Sequence, residues 1–348
     1  MPIGMVDYLA SIKDPFNKGL FENAYRQSPI LPLFPVMEIG APTLNSLRDG
    51  PLPTPTSRKL NTTVTDSVGH LGDTYEDHLA IIQGIFNDDE ARKKWTNVPK
   101  VVDPVAHEYD QYARSFERVV ANMIFNGDVD LVPDDFNGLI KRFTIAEFPA
   151  VQLINCAGGA VVSTNVFASA ATAQTFFNAL DQLMYQIGVW GPAESNSFKG
   201  ALFTNRTGIL GFNRAAKLAG YSLNTVDLFG KRWTTYMNVP IVEVGLQRDK
   251  VTEIILAGDG TSGYPDGTAL ANRSAYLFGV RFSTPDGQVD SPGSDGLTLI
   301  TAGGIQRLAP VKTTVNITQH GMEWQVGLAH PGDDYCAGLL WNFEWTTV

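Results

Sequence analysis

Cysteine is scarce in this chain: 348 residues carry two, Cys156 and Cys336, far apart in sequence. A secreted domain stapled by disulfides would use more, so a reducing compartment is expected. Strong basic runs are missing as well. Lys and Arg form only short clusters such as Arg58–Lys59, Arg92–Lys94 and Lys231–Arg232, and the net charge is −10 with a pI near 5.0. A protein that holds nucleic acid by neutralising phosphates should be basic, so a tight grip on DNA is not expected, while enclosing it without gripping stays open. No window reaches the length of a membrane span; the nearest, residues 156–173, is broken by Ser163, Thr164, Asn165, Ser169 and Thr172. The start carries Asp7, Lys13 and Asp14 and has no apolar stretch of signal-peptide type, so the cytoplasm is the expected place of synthesis and no membrane is involved.

Catalytic signatures are equally sparse. Gly258-Asp-Gly260-Thr-Ser-Gly263 fits GxGxxG after an apolar strand. A dinucleotide site needs a helix to follow, and Tyr264-Pro265-Asp266-Gly267 makes a turn instead, so an exposed loop is expected and no cofactor. His107–Glu108 begins like HExxH, but Gln111 stands where the second histidine belongs. His70 and His78, with Asp73 and Asp77 between, read as ribbon surface rather than a metal site. Asp88–Asp89, Asp134–Asp135 and Asp333–Asp334 are neighbours in sequence whose side chains diverge, so solvated turns are expected. There is no GxSxG elbow. Sequons at Asn61, Asn205, Asn272 and Asn316 carry no weight without a secretory signal.

What the chain does have is a proline-broken apolar stretch. Seven prolines, Pro29, Pro32, Pro35, Pro42, Pro51, Pro53 and Pro55, punctuate Ile30, Leu31, Leu33, Phe34, Val36, Met37 and Ile39. Proline fixes φ, lacks a donor and pushes its predecessor into extended backbone, which excludes a helix or a central strand. Burying those side chains gains about 10–20 kcal/mol, and ordering the segment costs about as much. The arm should therefore order only against another surface, its own body or a neighbouring copy. After it, residues 58–68 alternate Leu60, Thr62 and Val64 with polar partners, which predicts a projecting β-ribbon that also needs a partner surface.

Asp103–Pro104 opens the clearest helix, predicted over 104–126. Val105, Tyr109, Tyr112, Phe116, Val119, Val120, Met123 and Ile124 make one apolar stripe, and Asn126–Gly127, residues that tolerate left-handed backbone, should end it. A second helix is predicted over about 172–187, a strand over 199–204, a helix near 209–219, and strands over 239–245, 251–257, 275–282, 297–301, 311–317 and 322–328. The aromatic tail, residues 335–345, should be pinned into a sheet.

Three stretches carry a resemblance. HEYDQYARSFERVVANMIFNGD (107–128), residues 171–187 followed by Gly200-Ala-Leu-Phe-Thr-Asn205, and WTTYMNVPIVEVG (233–245) resemble the major capsid proteins of tailed bacteriophages, the Hong Kong ninety-seven capsid fold. Residues 276–282, 304–308 and 323–329 are similar to that family's C-terminal sheet. The resemblance implies an α+β fold: an extended N-terminal arm (1–47), a projecting β-hairpin or E-loop (48–80), a peripheral domain (81–150) built on a spine helix, an axial α/β domain (151–238), and a peripheral C-terminal β part (239–348). It implies a head protein that assembles with itself into hexamers and pentamers around double-stranded DNA, without sequence-specific binding, as part of a virion built in the host bacterial cytoplasm. Met1 to Pro29 is too short for a fused scaffold, so a separate scaffolding protein is implied, with a portal and a possible cement protein. Assembly contacts are expected at Leu31, Phe34, Met37, Arg58, Lys59 and Val64. Some members cross-link through a ribbon lysine; Lys59 is so placed, but no partner asparagine is identified, and non-covalent closure is expected. The rivals are an encapsulin-like compartment shell, a nicotinamide-dependent enzyme and a receptor-binding or decoration protein.

Overall fold

The computed structural model describes residues 5–47, 57, 60, 74–90, 104–156, 164–188, 200–228, 231–255, 274–283, 296–330 and 335–344. Two helices stand where an extended arm was expected, α1 (Met5–Ser11) and α2 (Pro15–Gln27). Asp14 caps α2 by accepting from the Phe16 N–H, and Pro15 occupies the first turn, where its missing donor costs nothing. Leu20, Phe21, Ala24 and Tyr25 form a buried stripe; the Phe21 ring packs edge-on against Tyr8 and Trp324.

The proline-broken stretch follows and lies on the chain's own body. Ser28 Oγ accepts from the N–H groups of Ile30 and Leu31, turning the chain inward. Ile30, Leu31, Leu33, Phe34 and Val36 are buried, and the Phe34 ring meets Phe203 at 5.8 Å and Phe282 at 4.9 Å. Strand β1 (Val36–Glu38) then pairs in parallel with residues 299–301, at the edge of a sheet, where proline is tolerated.

A hairpin root comes next: β2 (Thr43–Leu47) pairs antiparallel with β3 (Thr74–His78), Leu44 opposite Asp77. Strand β4 (Ala80–Asp89) alternates buried and exposed residues along its whole length. The spine helix α3 (Pro104–Asn126) has the predicted bounds and buries Tyr109, Ala113, Phe116, Val120, Ala121, Ile124 and Phe125. It ends at Asn126, as expected, without using left-handed backbone. Neither Asn126 nor Gly127 adopts positive φ. Gly127 is needed because a Cβ there would stand 2.3 Å from the Phe136 carbonyl oxygen, and the Asn126 amide donates to the Ile254 carbonyl at 2.8 Å. The short α4 (Leu139–Thr144) follows.

Strands β5 (Leu153–Asn155) and β6 (Thr164–Asn165) lead to α5 (Ala170–Gln186), which starts with a Ser169–Thr172 capping box. Then come β7 (Gly200–Thr204) and α6 (Arg206–Ala219), capped by Asn205 and closed by Gly220 in left-handed backbone. Strands β8 (Asn224–Leu228), β9 (Lys231–Tyr236) and β10 (Val239–Glu243) form a meander. Among the described residues five more strands follow: β11 (Ser274–Arg281), β12 (Thr298–Thr301), β13 (Gln306–Lys312), β14 (Ile317–Ala329) and β15 (Ala337–Glu344).

Among the described residues two main sheets result. One has the order β1-β12-β14-β13, with β4 pairing β14; the other runs β5-β15-β11-β7-β10-β9-β8, with β6 on β15. The architecture is α+β. One apolar cluster joins α1, α2, the proline-rich strap, α3 and the first sheet; the other packs α5 and α6 on the second sheet. Two strand expectations fail. Residues 251–255 make only an isolated bridge, Leu246 with Glu253, and residues 313–316 form an exposed turn rather than a strand.

Candidate assembly surfaces

Among the described residues no group of His, Cys, Asp and Glu could hold a metal ion, and no helix is long and apolar enough to cross a membrane. His107 and Gln111 contact each other on an exposed helix face at 3.4 Å. Asp88–Asp89 lies on β4 rather than in a solvated turn, with Asp88 buried and Asp89 exposed on opposite faces. Asn205 is a buried helix cap rather than a surface sequon. The motif 258–263, His70, Asp73 and the sequons at Asn61 and Asn272 lie outside the described residues. Both cysteines are buried thiols, and burial pushes Cys156 up to about 11.

Surfaces are more informative. In the first sheet, directly opposed residues share a face, so Ile81, Gln83 and Ile85 of β4 stand with Gln325, Glu323 and Gly321 of β14, and with Gln306 and Leu308 of β13. The other face, with Ile82, Met322, Trp324 and Val326, is core. The outer face leaves Ile81, Ile85 and Val311 exposed between polar residues.

The hairpin root is the second feature. Arg142, on α4, is almost wholly buried, and every one of its five donors is used. Nε donates to the Asn137 carbonyl at 2.9 Å. One terminal nitrogen donates to Glu147 Oε2 at 2.9 Å and to His330 Nδ1 at 2.8 Å, and the other to Asp77 Oδ1 at 2.6 Å and the Leu328 carbonyl at 2.8 Å. Loss of hydration opposes the buried charge, but the carboxylates of Asp77 and Glu147 outweigh it and hold the guanidinium above its ordinary range. Beside this network β3 crosses β14 so closely that a Cβ on Gly327 would lie 2.4 Å from the His78 carbonyl oxygen. The other limb, Glu38 to Pro42, borders an open cleft of about 690 Å³ completed by Ala302 and Gln325.

No protein-family model matches the sequence, and no curated protein matches it. Solved structures do. The holo-SrpI encapsulin complex from Synechococcus elongatus PCC 7942 matches at a TM-score of 0.56 and 14% identity, over 90% of this chain and 87% of that one. The capsid of a native GTA particle matches at 0.52 and 14%, over 92% and 90%, and a chain of Mycobacterium phage Bobi at 0.51 and 12%, over 90% and 89%. This is the Hong Kong ninety-seven capsid fold. Such an overlap along nearly the whole of both chains agrees with the capsid fold that the sequence resemblance implied.

Within the capsid fold, the six residues expected to make contacts separate into three groups. Leu31 and Phe34 are each 1% exposed within the subunit's own core, so in this fold they stabilise one chain rather than join two. The physical reason is that Phe203 and Phe282 already offer the apolar surface that the arm requires. Met37 is half-buried on the edge strand β1. Arg58, Lys59 and Val64 lie outside the described residues. Sequence reasoning missed the exposed isoleucines of β4 and the Arg142 network. The first had a signal, the alternation from Ala80 to Asp89; the second had none, because Asp77, Leu328 and His330 lie 65 to 188 positions from Arg142.

Proposed function

We propose that this chain is a shell protein whose copies close into rings of five and six, forming an icosahedral head around the double-stranded DNA of a tailed bacteriophage. The observation that carries the reading is the capsid fold itself, matched over about nine-tenths of the chain to a GTA particle capsid and an encapsulin complex. Closed rings need heterologous contacts, one patch meeting a different patch on the next copy. The chain offers two unlike features for such a contact, a hairpin rooted at β2 and β3 and the outer face bearing Ile81, Ile85 and Val311. We assign residues 48–80 to the projecting loop, 81–150 and 239–348 to a peripheral domain, and 151–238 to an axial domain. Arg58, Lys59 and Val64 on the loop, and Met37 beside its root, remain the proposed contacts. An acidic chain suits a container that encloses DNA without holding it. A separate scaffolding protein, a portal and a possible cement protein complete the proposed partners, and catalysis has no part in the reading.

The encapsulin match favours one second reading, a compartment shell around protein cargo. Expression with and without the neighbouring head-assembly proteins, followed by negative-stain microscopy and nuclease digestion, tests both. Closed particles protecting DNA support the head protein. Closed particles holding protein and no nucleic acid support the compartment. A species that stays monomeric or trimeric in every condition overturns both.

A further inference from the structure

We propose that Arg142 and Gly327 together clamp the root of the hairpin and so set the direction in which it leaves the subunit. The inference rests on the shell reading for its purpose but not for its geometry. The strands β2 and β3 form a two-stranded sheet of their own, outside both main sheets. A two-stranded ribbon is marginal in isolation, so its orientation depends on whatever holds its base. The two limbs are held differently. On the β3 limb, Asp77 is buried against the Arg142 guanidinium at 2.6 Å, and the next residue, His78, lays its carbonyl over Gly327. On the other limb, the last tie to the first sheet is the Ile39 N–H donating to the Thr301 carbonyl at 2.9 Å; beyond it Gly40, Ala41 and Pro42 line the open cleft, and a Cβ added at Gly40 would meet nothing within 4 Å.

The clamp is built for direction as much as for strength. Arg142 spans three parts of the fold with one planar group: Asp77 at the root, Glu147 beyond α4, and the Leu328 carbonyl with His330 at the end of β14. A planar fork with its donors all engaged fixes the angle as well as the distance to Asp77. Gly327 fixes the height, because no other residue lets the two backbones approach so closely. Arg142 and Gly327 are thus positioning residues for whatever the hairpin tip touches on a neighbouring copy.

The test uses the full-length unassembled subunit and hydrogen exchange. Asp77→Asn keeps an acceptor but removes the charge, and Gly327→Ala leaves the charges intact but inserts a methyl group under the His78 carbonyl. Each is expected to speed exchange in residues 43–47 and 74–78 by about tenfold or more, with protection in α3 and β14 unchanged. Gly40→Ala, a root substitution with open space around it, should leave exchange as in the parent. Equal acceleration throughout the subunit, or none at the root, overturns the clamp. In assembly trials the two clamp variants should give malformed shells or none, while Gly40→Ala assembles normally. Normal shells from a variant with a loosened root would overturn the positioning role. Failure of the parent protein to form any shell would overturn the shell reading and leave the exchange result standing.

Discussion

The two cysteines show how far burial decides reactivity. The thiolate is the nucleophile, and burial holds Cys156 at about 11, so almost none of it ionises near neutrality. Cys336 has no exposed surface and sits close to Arg142. Both thiols are expected to resist an aromatic disulfide reagent in the native protein, with two released on denaturation. A thiol reacting within seconds in the folded state would show that the sheet around β15 opens. Polar burial teaches a complementary lesson. Arg142 is tolerated because each donor has an acceptor, whereas its removal would strand Asp77 and Glu147 in a dry site. None of this was legible beforehand, since Arg142 stands in an unremarkable Ile-Lys-Arg-Phe run.

At the scale of elements, legibility followed periodicity. The 3.6-residue stripe of α3 and the body and glycine end of α6 could be read directly, because local pattern and tertiary burial agree there, whereas the Asn205 cap of α6 was not read. The helix α2 was hidden by its proline start and by Lys18 and Gly19, although Asp14–Pro15 is a start signal of the same kind as Asp103–Pro104. The alternation Val311, Thr313, Val315, Ile317 was misleading: it continues across a turn, leaving Val315 81% exposed, and the true strands lie on either side. The proline-rich strap was read correctly as needing a surface, but sequence could not say whose. With Ile30, Leu31, Leu33 and Phe34 filling the subunit's own core, deletion of residues 29–40 is expected to give insoluble or loosely folded protein rather than a soluble assembly-deficient subunit. Phe34→Ala is the milder probe and should cost about 3–5 kcal/mol in urea unfolding, since it removes a ring from a fully packed site. A cost below 1 kcal/mol would mean that the strap is not held in place by its own body.

For the whole molecule, the consequence is an order of events. Both apolar clusters are closed within one chain: strap and N-terminal helices complete one, and β15 near the C-terminus contributes to both. A chain of this kind is expected to fold before it associates, so that assembly of the proposed shell would add contacts to a finished surface instead of completing a core. Mass action then gives a clear discriminator. If association completed the fold, the melting temperature of the dissociated subunit would rise with concentration, because anything that binds only the native state stabilises it. The closed clusters lead to the opposite expectation: calorimetric scans of the scaffold-free subunit over roughly a hundredfold range of concentration should superimpose, with added stability appearing only where shells are visible in the same sample. A melting temperature that climbs steadily before any particle forms would show that neighbouring copies finish the fold, returning the strap to the role of an inter-subunit arm.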